Sequence, residues 1–221
     1  VEVRGEDLTI SGSDGNFVAL IPTSVAETSD NFSAEITEKI TDEALGRLKI
    51  TTVNALNKVT GTVTKLQSYG ARSFSIWTES GELVFDSGSD IAKITAGRVG
   101  EFFNASNDKE ADDKKNDRSS AKGAEPEALA VGEVNGRTYA FVGLERVGGI
   151  MMYDITNPNG VQFIEYVINR DFTKDPTEST EAGDVGPEGM KFVPADKSPT
   201  GEALLIVGNE VSGSTNVYEI K

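Results

Sequence analysis

The stretch Ala-Phe-Val-Gly-Leu-Glu-Arg-Val-Gly (140–148) occurs twice in related form, because residues 205–213 read Leu-Ile-Val-Gly-Asn-Glu-Val-Ser-Gly. Each copy is followed by a Tyr-acid-Ile triplet, at 153–155 and 218–220, so the copies are offset by 65 residues (153 to 218). Upstream, Pro126-Glu127 and Pro187-Glu188 open a further strand in each copy. Short strands that repeat between Gly-containing turns are typical of an all-β fold.

The repeat also predicts how the strands are arranged. Each copy is a strand, a turn, a strand ending Val-Gly-x-Glu, a second turn and a third strand, and the first copy adds a fourth strand at 161–168. Four antiparallel strands in a meander form one blade of a β-propeller. We therefore predict an all-β fold, a β-propeller or a large fragment of one. One or two short helices are expected, from Ser33 to Leu45 and from a cap at Asp90 towards Phe103.

Two segments depart from the blade pattern. Residues 1–43 have no assignment, although Val1–Arg4 or Leu8–Ser11 could add the closing strand to the last blade, with a helix after it. Residues 44–221 are predicted to form the blades, and a polar loop at 104–122 interrupts them; so long a loop is either functional or disordered. The chain begins Val1-Glu2-Val3 with no signal peptide, which favours a processed product or a fragment of a longer protein.

Composition excludes several kinds of chemistry. The 221 residues include 36 acidic and 21 basic side chains, a net charge of −15, and neither histidine nor cysteine. Catalytic triads that need histidine, the usual zinc sites and haem ligation by histidine are therefore excluded, and any metal must be held by oxygen. No Gly-rich loop precedes a helix, so no nucleotide is expected. The negative charge argues against nucleic acid, and no apolar run is long enough to span a membrane.

The paired glutamates are the sharpest candidate site. Glu127 and Glu188 open equivalent strands, and Glu145 and Glu210 end equivalent strands. If the first strands line a central channel, the four carboxylates converge, which is costly unless a cation lies among them. Calcium, which takes 6–8 oxygen ligands, would suit such a site. The structural alternative is that each glutamate accepts backbone N–H bonds at a turn of its blade.

Aspartates in two polar connections are further candidate metal ligands. Asp108, Asp112 and Asp117 lie in the polar loop, and Asp171 and Asp184 lie before Pro187. The loop lacks the glycine and closing glutamate of an EF-hand, so only a looser calcium site is open to it. A solvated loop is the alternative for both connections.

Eight motifs in order together resemble the choice-of-anchor I domain family, over about residues 44–221. They are Ala-Leu-Gly-Arg-Leu-Lys (44–49), Tyr-Gly-Ala-Arg-Ser-Phe-Ser-Ile-Trp (69–77), Leu-Val-Phe-Asp-Ser-Gly (83–88), Glu-Phe-Phe-Asn (101–104), Glu-Pro-Glu (125–127), Asn-Gly-Arg-Thr-Tyr-Ala-Phe-Val-Gly-Leu-Glu-Arg (135–146), Gly-Pro-Glu-Gly (186–189) and Val-Gly-Asn-Glu-Val-Ser-Gly (207–213). That family includes bacterial proteins labelled alkaline-phosphatase-like and a mesenchyme-specific cell-surface glycoprotein. The resemblance implies an exported β-propeller that is secreted, periplasmic or on the cell surface.

Three functions are compatible with these features. The first is a calcium-binding structural, adhesive or matrix-associated module, whose partners are divalent cations or extracellular surface components. The second is an enzyme, a calcium-dependent phosphoesterase in which Arg137 and Arg146 would clamp the phosphate. The third is a surface-layer or fibre subunit that self-associates through an open sheet edge.

Overall fold

The computed structural model describes residues 17–19, 33–39, 41, 44, 47–51, 53, 55, 64–70, 72–108 and 115–221. The chain divides into two compact units. The first consists of Val1–Gly70 with Ser119–Lys122, and the second consists of Ala71–Arg118 with Gly123–Lys221. Asp112 and the predicted closing strands Val1–Arg4 and Leu8–Ser11 lie outside the described residues.

The first unit contains a short antiparallel sheet and a short helix. Strand β1 (Phe17–Ala19) pairs with β2 (Lys49–Thr51), and Ser68 forms an isolated bridge to Ile50. Helix α1 spans Ala34–Glu38 and is therefore shorter than the helix predicted to reach Leu45. Beyond it, Lys39, Thr41 and Ala44 lie in turns or bends. Thr41 is β-branched and favours such positions over a helix interior.

The described part of the second unit contains three antiparallel sheets. Strands β3 (Ser75–Trp77) and β4 (Leu83–Asp86) form a hairpin. A four-stranded meander consists of β5 (Pro126–Val134), β6 (Arg137–Leu144), β7 (Ile150–Asp154) and β8 (Gln162–Val167). A three-stranded meander consists of β9 (Pro187–Val193), β10 (Ala203–Asn209) and β11 (Ser214–Ile220). Single 3₁₀ turns lie at Gly100–Phe102, Asp117–Ser120, Thr180–Ala182 and Ala195–Lys197.

The registers of the two larger sheets confirm the repeat. Pro126 pairs with Leu144 in the first sheet, and Pro187 pairs with Asn209 in the second. In both sheets the residue after the proline is the extra residue of a β-bulge, so Glu127 and Glu188 have no residue directly opposite. Asn135 and Gly136 join β5 to β6, and their φ values of 53° and 76° are both positive, as a type I′ turn requires.

Both faces of the four-stranded sheet are packed. One face contributes Val142, Leu144, Met151 and Tyr153 to a core that includes Ile91 of helix α2 (Asp90–Val99). The opposite face contributes Phe141 and Ile150, which pack with Leu205 and Val207 of β10. The two sheets approach closely: a Cβ added to Gly132 would lie 2.3 Å from the ring of Phe192, and that ring stacks 6.0 Å from the ring of Phe141.

Helix α2 differs from its prediction by one residue. Ser89 occupies the N-cap position, and Asp90, which we predicted as the cap, is the first helical residue. A carboxylate in the first turn still interacts favourably with the helix dipole.

The described structure is mostly β, with antiparallel sheets and helix α2, as the sequence predicts. Among the described residues, no helix combines the length and the apolar character needed to cross a membrane.

Candidate metal centre

Three glutamates meet at one end of the β5–β6 hairpin. Glu125 immediately precedes β5, Glu127 is the bulged residue of β5, and Glu145 follows β6. The chain is held together here by two backbone bonds: Glu145 N donates to Glu125 O at 2.8 Å, and Arg146 N donates to Ala124 O at 3.1 Å. The hairpin therefore brings together residues that are distant in sequence, at the end opposite the Asn135-Gly136 turn.

The three carboxylates are close enough to share one ion. One oxygen from each lies within 4.8 Å of the others. The side chains of Glu125 and Glu145 are 1% and 6% exposed, and Glu127 is half-buried. Among the described residues, this is the group of acidic side chains that could hold a metal ion. Carboxylate oxygens alone suit calcium, magnesium or manganese.

Glu125 adopts an unusual backbone conformation at this site. Its φ is 55°, in the left-handed region, where a residue with a Cβ is disfavoured by roughly 1–2 kcal/mol. The equivalent residue of the second repeat is Gly186, with φ of 79°, which carries no such cost. The unfavourable φ at this position is therefore a feature of the first repeat and not of the second.

Two arginines interact directly with the carboxylates. Arg118 donates a hydrogen bond to Glu125 Oε1, and Arg146 Nε lies 3.3 Å from the same oxygen. Arg146 Nη2 lies 3.2 Å from Glu145 Oε1. A third guanidinium, that of Arg72, is close enough to be influenced by Arg118 and Glu125. The formal charges of three glutamates and three arginines therefore cancel when all are ionised.

Ser106 and Asn107, at the start of the polar loop, are buried and hydrogen-bonded to the arginines and backbone of the site. Arg146 Nη1 donates to Asn107 Oδ1 at 2.8 Å, and Asn107 Nδ2 donates to the backbone oxygen of Glu145 at 3.2 Å. Arg170 is also buried; its guanidinium donates to Ser106 O at 2.6 Å and to Arg146 O at 2.9 Å. The start of the polar loop is thus fixed against the end of the hairpin.

Burial raises the pKa of Glu145 to about 8. The Arg146 charge opposes this shift, whereas the hydrogen bond that protonated Glu145 donates to Glu127 and the charges of Glu127 and Glu125 add to it. Burial, followed by the neighbouring Arg118 charge, lowers the pKa of Arg72. The cluster therefore favours a protonated Glu145 near neutral pH, and a bound cation would displace that proton.

The remaining predicted glutamates are not part of this cluster. Glu188 and Glu210 occupy the equivalent positions of the second repeat, but both are exposed. Glu210 N donates to Gly186 O at 2.8 Å, which matches the bond between Glu145 and Glu125. The structure thus separates the four predicted ligands into two pairs and joins one pair to Glu125.

None of the described aspartates that we predicted as ligands belongs to this cluster. Asp108, Asp117 and Asp171 are exposed. Asp171 accepts bonds from the backbone N and Oγ1 of Thr173, and the side-chain bond is the main cause of its lowered pKa. Asp184 accepts bonds from Asn169 Nδ2 at 2.6 Å and from Ser214 Oγ at 2.9 Å.

The two arginines predicted to clamp phosphate lie at opposite ends of β6. Arg146 is in the cluster just described, whereas Arg137 opens the strand and donates from Nε to Asp154 Oδ2 at 2.7 Å. Bonds from Thr156, followed by that from Arg137, lower the pKa of Asp154 to about 2. A strand of eight residues is about 25 Å long, so the two guanidiniums cannot contact one phosphate.

Sequence reasoning missed three members of the site: Glu125, Arg118 and Asn107. The available indication was the repeat itself, because Glu125 stands where the other copy has Gly186. Arg118 and Asn107 lie at the two sides of a loop of alternating charge, which gave no sign that its ends are buried. Asn107 is 1% exposed, and Arg118 contacts Glu125, which is 2% exposed.

Comparisons with known proteins identify the family of this chain. The profile of the choice-of-anchor I domain matches residues 21–158. Gigasin-3a of Magallana gigas is 31% identical over 188 residues, which cover 81% of this chain and 66% of Gigasin-3a, slightly less than two thirds of that protein. No solved structure matches the chain. The chain therefore belongs to the choice-of-anchor I domain family, which points to an extracellular or cell-surface domain.

Proposed function

We propose that this chain is an extracellular or cell-surface module that binds calcium at Glu125, Glu127 and Glu145 and depends on the ion for its stability. The observation that carries the proposal is the convergence of three carboxylates, two buried and one half-buried, with one oxygen from each within 4.8 Å of the others. We also propose that the stacked sheets are blades of a β-propeller, since the repeated meanders pack face to face.

Calcium is the favoured ion because of the ligands. Three glutamates offer up to six oxygens, and water can complete a shell of six to eight. Magnesium requires a near-ideal octahedron and keeps several waters, so a site formed from buried glutamates of fixed position suits it less well. Zinc and copper favour nitrogen and sulfur ligands.

We expect the affinity of this site for calcium to be low, because arginines neighbour the carboxylates. Arg118 and Arg146 already compensate Glu125 and Glu145, so an ion gains less from this cluster than from three isolated carboxylates. The affinity for calcium depends on the charge of the ligand set. We expect a dissociation constant of about 0.1–1 mM, the range of extracellular calcium modules.

The bound ion would join three points of the chain. Glu125 belongs to the turn before β5, Glu127 to the bulge in β5, and Glu145 to the end of β6. An ion that binds only the folded chain stabilises it by mass action. A tenfold excess over the dissociation constant gives about 1.4 kcal/mol, or roughly 3–6 °C in melting temperature for a chain of this size.

Thermal melting with excess EDTA and with calcium tests this proposal. Wild type should gain those few degrees, and Glu127→Gln should gain none. Glu188→Gln is the matched control, because Glu188 is the bulged residue of the second repeat and is exposed. It should behave as wild type. An equal calcium shift in both variants, or none in wild type, would contradict the proposal and leave the cluster as a closed carboxylate–guanidinium network.

The same samples can test for phosphoesterase activity with a chromogenic phosphate ester. Arg137 and Arg146 lie at opposite ends of β6, which makes a phosphate clamp formed by this pair unfavourable. We therefore expect calcium-dependent stability without turnover. Turnover that is lost in Glu127→Gln and kept in Glu188→Gln would favour the enzyme instead.

A further inference from the structure

We propose that the guanidinium of Arg118 is an internal competitor of calcium: it pairs with Glu125 until calcium binds and then moves into solvent, whereas Arg146 stays in place. This role rests on the proposed calcium site and adds how the site is controlled. Arg118 would be the residue that sets the affinity for the ion.

Arg118 and calcium would use the same carboxylate. Arg118 donates a hydrogen bond to Glu125 Oε1, and the side chain of Glu125 is 1% exposed. An ion shared by Glu125, Glu127 and Glu145 would therefore lie close to this guanidinium in the same buried region. Like charges at such short range repel strongly when little water separates them.

The charge of the cluster favours the departure of one guanidinium. Those of Arg72, Arg118 and Arg146 balance the three carboxylates when all are ionised. Calcium would add two positive charges that these carboxylates do not balance, and an uncompensated charge away from water is costly. Moving one guanidinium into solvent removes half of that excess.

The contacts of the two arginines indicate that Arg118 is the one to leave. Arg146 has additional attachments, because its Nη1 donates to Asn107 Oδ1 at 2.8 Å and its Nη2 lies 3.2 Å from Glu145 Oε1. Arg118 is joined to the cluster through Glu125 and lies near the like charge of Arg72. Loss of the Glu125 bond therefore frees Arg118 more readily than Arg146.

The side chain of Arg118 can leave while its backbone stays in place. Its backbone N donates to Asn104 O at 3.0 Å, and its backbone O accepts from Gly123 N at 2.9 Å. The side chain is 21% exposed, so part of it already reaches solvent. Rotation about side-chain bonds is therefore sufficient for the exchange.

The exchange predicts how strongly Arg118 affects calcium. By linkage, the Arg118 contact and the ion weaken each other by the same factor, and such coupling is typically about 5- to 150-fold. Because Arg146 remains beside the carboxylates, we expect a value in the lower part of this range. Arg118→Gln should therefore bind calcium about tenfold more tightly than wild type.

Calorimetric titration of each variant with calcium measures this change. Arg137→Gln is the matched control, because it also removes one positive charge from a chain of net charge −15. Arg137 pairs with Asp154 at the opposite end of β6, so this variant should bind calcium as wild type does. Matching melting curves in saturating calcium establish that both variants are folded.

Arginine modification tests the displacement in wild type itself. The protein is treated with phenylglyoxal in EDTA and in saturating calcium, and each modified arginine is quantified by peptide mass spectrometry. Calcium should increase the reaction at Arg118 severalfold and leave Arg146 unchanged. Arg137, whose side chain is 56% exposed, should react equally in both conditions and serves as the internal reference.

The outcomes separate this role of Arg118 from the calcium site on which it rests. Equal calcium affinity in wild type and Arg118→Gln, or equal reactivity of Arg118 with and without bound calcium, would overturn the role of Arg118 alone. Absence of calcium binding in wild type and in both variants would overturn the calcium site and this role together.

Discussion

The β5–β6 and β9–β10 hairpins end in the same backbone arrangement but carry different side chains there. In the first repeat Glu125 is buried against Arg118 and Arg146; in the second, Gly186 takes its place, and a Cβ there would lie 2.8 Å from Val211 Cγ2. The bulge after the proline and the 2.8 Å backbone bond are the same in both. The backbone is therefore a property of the repeat, and the charged cluster is an addition confined to one copy.

The comparison separates the glutamates that belong to the repeated backbone from those that form the cluster. Glu127 and Glu188 each occupy the bulge of their own sheet, and the backbone nitrogens of Glu145 and Glu210 each donate the equivalent hydrogen bond. Glu188 and Glu210 are nevertheless exposed. A repeated glutamate is therefore not sufficient to form a site. The two repeats differ at the residue before the proline. Glu125 has an unfavourable φ and contacts Arg118 and Arg146, whereas the second repeat has a glycine there.

Replacing Glu125 should have the largest effect on stability. In Glu125→Gln the guanidiniums of Arg118 and Arg146 would lose their shared carboxylate inside the protein. Breaking a buried ion pair from one side costs about 3–5 kcal/mol, and we expect a loss in that range from urea unfolding. A loss below about 1 kcal/mol, the range of exposed ion pairs, would mean that solvent reaches the pair freely.

Adding a methyl group at Gly132, between the stacked sheets, should have the next largest effect on the free energy of unfolding. In Gly132→Ala the new methyl would meet the Phe192 ring at 2.3 Å, and overpacking of this kind costs about 1–3 kcal/mol. Gly189→Ala is the control, because nothing lies within 4 Å of its Cβ position and the first repeat has Ala128 there. Equal unfolding midpoints for the two variants would show that the sheets are not in contact at Gly132.

The pH dependence of stability distinguishes the two repeats further. The folded pKa of Glu145, about 8, lies above its ordinary value of 4.5, so the folded state favours the protonated carboxyl. This contribution is present in full below pH 4.5 and is lost as the pH rises towards 8. Glu145→Gln, measured without calcium by urea midpoints across this window, should decline less than wild type. An unchanged slope would show that Glu145 titrates normally.

The smallest effect is expected at the equivalent exposed position. Glu210→Gln should change the free energy of unfolding by less than about 0.5 kcal/mol, as surface substitutions usually do. It should also leave the pH slope unaltered. A loss comparable to that of Glu125→Gln would abolish the distinction between the two hairpin ends.

Much of the fold was predictable because it depends on local patterns. The repeated Pro-Glu and Val-Gly-x-Glu motifs predicted equivalent strands in the two copies, and the registers place the two prolines and the bulges after them at equivalent positions. The site was only half predictable. The repeat predicts Glu127 and Glu145 as members of the site. The ion-pair partner of Glu125 is Arg118, which lies at the far end of the polar loop. Such a contact between a loop and a strand end has no period in sequence.

The most direct test of the calcium site is a crystal structure of the protein grown with calcium and examined by anomalous diffraction. We expect a peak among Glu125, Glu127 and Glu145, with one oxygen of each at about 2.3–2.6 Å from the ion. We expect no such peak at Glu188 and Glu210. An empty cluster, with Arg118 and Arg146 still bonded to the carboxylates at saturating calcium, would contradict this expectation.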